Sequence, residues 1–334
     1  MIDLSTAGIL VTGASGFVGN RLINQLQKSG RPVRAASRGL RPAMRPTTES
    51  VGVDSMVTGD LGPETCWRSA LQGVQIVVHL AARVHVMDET ASDSLAEFRR
   101  VNVSGTLQLA RQAADMGVRR FVFVSSVKVN GEQTQPGHPF SADDKPAPMD
   151  AYAMSKLEAE QALLDLAKTT GLEVVIIRPV LIYGPGVKAN FLKMMQWLYR
   201  GLPLPLGAID NQRSLLAVDN LISLISVSLE HRDAANQVFL ASDGEDISTP
   251  DLLRRLACAL GKPARLMPIP GVVLTTVAGL LGQRDAANRL CGSLQVNITK
   301  TRRVLGWTPP LTLDAGLDLT AQDFLYRPSL HLAV

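Results

Sequence analysis

Short apolar runs alternate with longer stretches of helical period through the first half of the chain. Ile9-Leu10-Val11 is the first run, and residues 17–29 follow with Val18, Leu22, Ile23 and Leu26 at helical spacing. The same pattern predicts strands at 32–36, 76–80, 121–124 and 174–177. It predicts long helices at 95–116, stopped by Gly117, and at 151–170. The run Phe121-Val122-Phe123-Val124 has no polar interruption. Such strands are buried on both faces, and their alternation with helices implies parallel crossovers.

The expected fold is α/β: a doubly wound parallel sheet of Rossmann type with a smaller C-terminal substrate-binding lobe. Residues 1–178 are expected to form the dinucleotide-binding domain. Residues 179–334 are expected to form mainly the substrate-binding lobe, with some segments returning to the first domain. Prolines and glycines become frequent after Pro179, while helical patterns persist at 252–260 and 313–324. Residues 39–52 read as a surface loop. The most apolar later segment, 271–282, is too short to span a bilayer. It is expected to be a buried or partly buried helix; contact with a membrane surface is the other reading.

At 334 residues and 46% hydrophobic content the chain can bury a large core, and its net charge is only +4. Basic residues are dispersed apart from Arg31, Arg34, Arg38, Arg41 and Arg45, which disfavours a nucleic-acid partner. Cys66, Cys258 and Cys291 are far apart and odd in number, so neither a disulfide framework nor a metal site is expected. Residues 1–8 lack the pattern of a signal peptide. A cytoplasmic enzyme without membrane insertion is the expectation.

Candidate chemistry begins at Gly13-Ala14-Ser15-Gly16-Phe17-Val18-Gly19, between the first strand and the first helix. Glycines there let backbone N–H groups approach a pyrophosphate at the positive end of a helix. The spacing is G-x-x-G-x-x-G, not the common G-x-G-x-x-G. An NAD site usually carries an acid at the end of the second strand, but this chain has Ser37-Arg38. Arg38 can pair with a 2′-phosphate, so NADP(H) is favoured over NAD(H), with a solvated Arg38 as the other reading. Asp60-Leu61 follows a further strand and is a candidate for the adenine end, with an exposed loop acid as the other reading.

Tyr152 and Lys156 stand four apart on one helix face. A free tyrosine is a poor base near neutrality, and a nearby ammonium favours its phenolate. The pair is a candidate general acid/base, with Ser126 placed after its strand to hold a substrate oxygen.

With these motifs together the chain resembles an extended short-chain dehydrogenase/reductase of the nucleotide-sugar epimerase/dehydratase group. The resemblance runs through Val11-Thr12-Gly13, His79-Leu80-Ala81-Ala82, Asn102 with Gly105-Thr106, Ser125-Ser126 and Tyr152/Lys156. It continues through Arg178-Pro179, Tyr183-Gly184-Pro185-Gly186, Arg213, Val218-Asp219 and Leu305-Gly306-Trp307. It implies a Ser126/Tyr152/Lys156 triad, with Lys156 also holding the nicotinamide ribose. It implies cofactor contacts at Gly13, Ser15, Gly16, Phe17, Val18, Gly19, Leu80, Ala81, Ala82, Asn102 and Pro179. It implies diphosphate contacts from Asn190 and Arg213, with surface pairing as the other reading for Arg213. Family members often dimerise through the two long helices, so a homodimer is implied as well.

Dehydratases of this group carry an Asp-Glu pair after the catalytic Ser or Thr, where this chain has Val127 and Lys128. Dehydration is therefore disfavoured. Lys128 near the crevice reads as a substrate contact or as a solvated lysine. The chain is similar to bacterial enzymes of surface-polysaccharide synthesis that reduce UDP-4-keto-6-deoxy-N-acetylhexosamines. Together with Arg38, this makes an NADPH-dependent 4-ketoreductase the expected activity. The alternative is an NAD-dependent 4-epimerase of a UDP-hexose or UDP-N-acetylhexosamine, and a non-catalytic NADP-binding regulator is more remote.

Overall fold

The computed structural model describes residues 7–39, 53–84, 94–135, 137–280, 290–327 and 329. The predicted loop at 39–52, with Arg41 and Arg45, lies outside the described residues except for Gly39.

Seven parallel strands form the central sheet, in the order β3-β2-β1-β4-β5-β6-β9. They are β1 (Gly8–Thr12), β2 (Val33–Ser37), β3 (Val53–Val57), β4 (Val74–His79), β5 (Arg120–Val124), β6 (Glu173–Pro179) and β9 (Gln237–Ala241). Alternate residues of one strand enter opposite cores. Ile9, Val11, Ile76 and Val78 pack on one face with Leu22 and Leu26 of α1 (Phe17–Lys28) and Leu221 and Ile225 of α7 (Val218–Glu230). Leu10, Val77, Phe121 and Phe123 pack on the other with Leu109 of α4 (Thr106–Asp115) and Leu163 of α5 (Ala151–Thr170). This two-sided burial explains the unbroken apolar runs. Each buried Leu or Phe contributes roughly 2 kcal/mol by leaving water.

Beyond residue 179 a three-stranded sheet forms, in the order β10-β8-β7. Its strands are β7 (Leu181–Tyr183), β8 (Arg213–Ala217) and β10 (Asp246–Ile247). A separate core joins Phe191 and Met195 of α6 (Ala189–Tyr199), Leu252 and Leu256 of α8 (Thr249–Ala259), and Leu317 and Phe324 of the helix Leu313–Leu325.

The helix predicted at 95–116 is not uniform. α3 (Ser94–Phe98) passes through a π-helical stretch, Arg99–Gly105, before α4 begins. The wider turns hold Asn102 against two other elements. Its amide donates to the Arg83 carbonyl and the Ser155 hydroxyl, both at 3.0 Å, and its oxygen accepts from the Arg83 N–H at 2.8 Å.

The apolar segment at 271–282 is, in its described part α9 (Gly271–Leu280), a partly buried helix: no residue is fully buried, and Leu274 packs against the second core. The arginine cluster is partly structural: Arg31 pairs with Glu230, and Arg34 pairs with Asp54 at 2.8 Å while donating to the Ala70 and Gln72 carbonyls.

One ion pair fixes α5 on the sheet. Arg178 on β6 meets Glu160 on α5 at 2.6 Å, with side chains 5% and 3% exposed. Its remaining arm donates to Asn130 Oδ1 at 3.0 Å. Breaking such a pair from one side leaves a buried charge uncompensated. Arg178→Met should cost about 3–5 kcal/mol, read from urea unfolding at unchanged slope. The double change Arg178→Met with Glu160→Leu should recover most of that loss.

Candidate active site

The ends of β1, β5 and β6 open on one edge of the sheet, because the strands are parallel and in register. The glycine loop, Ser125-Ser126 and Pro179 therefore share one crevice, where ligands of such sheets bind. Gly13 has φ +67°, and a β carbon on it would lie 2.8 Å from the Ala81 nitrogen. A β carbon on Gly19 would lie 2.2 Å from the Gly13 carbonyl oxygen. Side chains at these positions would push α1 and the 80–82 loop away from the turn. Gly16 is the N-cap of α1, has no side chain to cap the helix, and the first turn holds no acid. The turn thus presents N–H groups and a positive helix end to an anion, which fits a dinucleotide pyrophosphate. Ser15, Phe17 and Val18 line that turn, and Gly186 approaches the Phe17 ring from the second lobe.

The floor of the crevice is held by a buried histidine. His79 Nδ1 lies 2.7 Å from Thr12 Oγ1, and its Nε2 lies 2.9 Å from Thr106 Oγ1. Thr12 Oγ1 also accepts from the Ala81 N–H. This clamp sets the path of Leu80, Ala81 and Ala82. Burial, then the Lys156 ammonium, lowers the His79 pKa to about 3.

Ser126 precedes a short turn, Val127–Val129, and its Oγ accepts from the Lys128 N–H at 3.2 Å. Tyr152 stands in the first turn of α5, its ring edge-on to Phe98 with centroids 6.1 Å apart. Lys156 is buried one turn on. Its Nζ donates to the Val124 carbonyl at 2.8 Å and lies 3.8 Å from the centre of the Phe123 ring. Burial lowers its pKa to about 7, against the pull of Glu160. Tyr152 departs from the expected phenolate: burial, then the Asp150 charge, raises its pKa to about 12, and only a hydrogen bond with Ser126 works the other way.

Lys128 is engaged rather than solvated. It reaches Asp150 at 2.5 Å and Glu132 at 3.5 Å. Asp150 caps α5 by accepting from the Ala153 N–H at 2.7 Å. The pair thereby fixes the turn that carries Tyr152, a role that spacing along the chain does not reveal. Ser125, the first residue of the Ser125-Ser126 motif, has no role assigned from the sequence. Its hydroxyl is buried at the mouth of β5 without a hydrogen-bond partner among the described residues. An orphaned hydroxyl there fits a bound polar group.

The other predicted residues are more dispersed. Ser37 donates its hydroxyl to the Gly39 carbonyl, and Arg38 is exposed at the end of β2. Asp60 is exposed, whereas Leu61 belongs to the core. Asn102 spends its amide within the chain, as described above. Asn190 is exposed in the first turn of α6. Arg213 opens β8, donates to the Gly292 carbonyl at 2.9 Å, and has its pKa lowered by burial.

A dinucleotide-binding α/β enzyme is the class that this fold and crevice define. Residues 9–241 match the NAD dependent epimerase/dehydratase family. The chain belongs to that family, within the extended short-chain dehydrogenases/reductases, and is an NAD(P)-dependent enzyme. A UDP-glucose 4-epimerase of Vibrio cholerae is 47% identical over 322 residues, covering 95% of each chain. The structure of MoeE5 in complex with UDP-glucose and NAD is 25% identical, with a TM-score of 0.75, covering 96% of this chain and 99% of that one. The UDP-glucuronic acid 4-epimerase of Bacillus cereus, in complex with NAD, is 21% identical with a TM-score of 0.74, covering 96% and 100%. The Vibrio cholerae relative overturns the 4-ketoreductase expected from Arg38 and the motif text.

Two charge-dependent outcomes follow. The folded pKa of Lys156 lies below its unfolded value, so its burial penalty is full below about pH 7 and fades towards about pH 10. Any stability that Lys156→Met gains over the native chain should therefore shrink across that range in thermal melts. His79 stays neutral when folded but protonates when unfolded, so the native chain should lose stability as pH falls from about 7 to about 5. The His79 ring should show no titration over the same range by NMR.

Proposed function

We propose that this protein is an NAD-dependent 4-epimerase of a UDP-hexose or UDP-N-acetylhexosamine. The reading is supported by the hydrogen bond between Ser126 and Tyr152 and by Lys156 one turn further along α5. The 47% identical UDP-glucose 4-epimerase supports the reaction type, and the UDP-glucose and NAD of MoeE5 support the ligand classes.

Bound NAD(H) supplies a site that accepts the C4 hydride and returns it. The glycine loop and α1 N-terminus hold the pyrophosphate, and Lys156 orients the nicotinamide ribose. Tyr152 takes the proton from the sugar O4 and gives it back after the 4-keto sugar has turned. Ser126 hydrogen-bonds the same oxygen and lowers the cost of the Tyr152 phenolate. Ser125 offers its orphaned hydroxyl to the bound ligands. Arg213 and Asn190, in the 179–334 lobe, hold the diphosphate, whose negative charge offsets the burial of the Arg213 guanidinium. Val127 and Lys128 leave no acid pair for dehydration.

NAD(H) is proposed over NADP(H). Ser37 already spends its hydroxyl on Gly39, and an exposed Arg38 is compatible with a solvated guanidinium.

Purified protein should interconvert UDP-glucose with UDP-galactose, or the N-acetyl pair, without net consumption of added cofactor. Bound nicotinamide should be released on denaturation as NAD. Net stoichiometric oxidation of NADPH, or retention of the C4 configuration in every UDP-sugar supplied, would overturn the reading. Tyr152→Phe should lower kcat by at least about 100-fold. Because the Tyr152 pKa is raised, kcat should climb with pH above neutrality, and Ser126→Ala should shift that limb to higher pH.

A further inference from the structure

α9 turns its more apolar side outward. Val272, Val273, Thr276, Val277 and Leu280 are exposed, on a stripe that repeats every four residues. Val272 is 77% exposed, Val277 49% and Leu280 84%. The partly covered side carries Leu274, Thr275 and Ala278. A helix in water ordinarily turns its polar face out.

The flanking chain carries the apolar surface further. Leu204 and Leu266 pair as a short parallel bridge, as do Ala208 and Pro270 at the foot of α9. Trp197, Leu202 and Met267 are exposed on these same segments. Residues 186–209 and 261–280 contain Lys188, Lys193, Arg200, Lys262 and Arg265 and no Asp or Glu. An outward apolar stripe beside segments whose charged residues are all basic is complementary to a negatively charged lipid surface. It is poorly suited to a second copy, because a two-fold interface would bring this basic surface against itself.

We propose that α9 and its flanking segments form a docking surface for an anionic phospholipid bilayer, on which the helix lies without crossing. The surface is fastened to the second lobe. Leu266 and, from α9, Leu274 pack against the core of that lobe.

The test is flotation of the full-length protein with vesicles of mixed phosphatidylglycerol and phosphatidylcholine, against phosphatidylcholine alone. The protein should float with the mixed vesicles at low salt and dissociate as salt is raised. Val272→Asp with Val277→Asp should cut the bound fraction by at least about tenfold while turnover of a soluble UDP-sugar persists. Lys262→Gln and Arg265→Gln should each weaken binding by about fivefold without touching α9. No flotation of the native protein, or flotation unchanged by the aspartates, would overturn the proposal. So would self-association in sedimentation velocity that the aspartates abolish, which would make the surface an interface between copies.

Discussion

The buried Arg178–Glu160 pair is the fastening on which the candidate site depends. It joins β6 to the helix that carries Tyr152 and Lys156, and through Asn130 it reaches the turn that follows Ser126. Three segments distant in sequence are thus indexed to one guanidinium plane. A buried ion pair is a weak device for stability alone, because desolvation offsets most of its attraction. Its bidentate geometry is a strong device for orientation. The Glu160 charge also faces Lys156 and favours its ammonium form against burial. The element that holds the helix therefore also biases the protonation of the group that the helix presents.

Around that fastening, buried polar clamps set positions that apolar packing leaves loose. His79 joins the ends of β1 and β4 to the start of α4. Asp243 does similar work in the second lobe, accepting from Tyr183, Asn220 and the Ala217 N–H. Burial raises the pKa values of both Asp243 and Tyr183. Each clamp is satisfied on several sides, so its members cost less to bury than isolated polar groups would.

The fold was legible in the sequence where physics is local. Strands buried on both faces write themselves as unbroken apolar runs, and the turn at Gly13 writes itself as glycine. The family was legible because its motifs are spread along the chain. Pairings across long separations were not. Nothing near Lys128 marks Asp150 as its partner, and the Tyr152/Lys156 spacing does not show that burial raises the tyrosine pKa. Arg38 is ambiguous for a related reason: a charge at a strand end signals a 2′-phosphate only when its geometry favours one. The reductase expectation leaned on that residue and fell to the epimerase relative. The 271–282 segment was legible as an apolar helix, but apolar content cannot say what covers a face.

The π-helical stretch between α3 and α4 has a consequence for the history of this chain. Each residue of an α-helix turns it by about 100°. A wide turn is an insertion absorbed in place, with the helix continuing in register on both sides. Deleting one residue between Arg99 and Gly105 would restore regular winding with both flanks in place, but it would withdraw Asn102 from Arg83 and Ser155. The extra residue thus serves the placement of one buried amide rather than the packing of the helix.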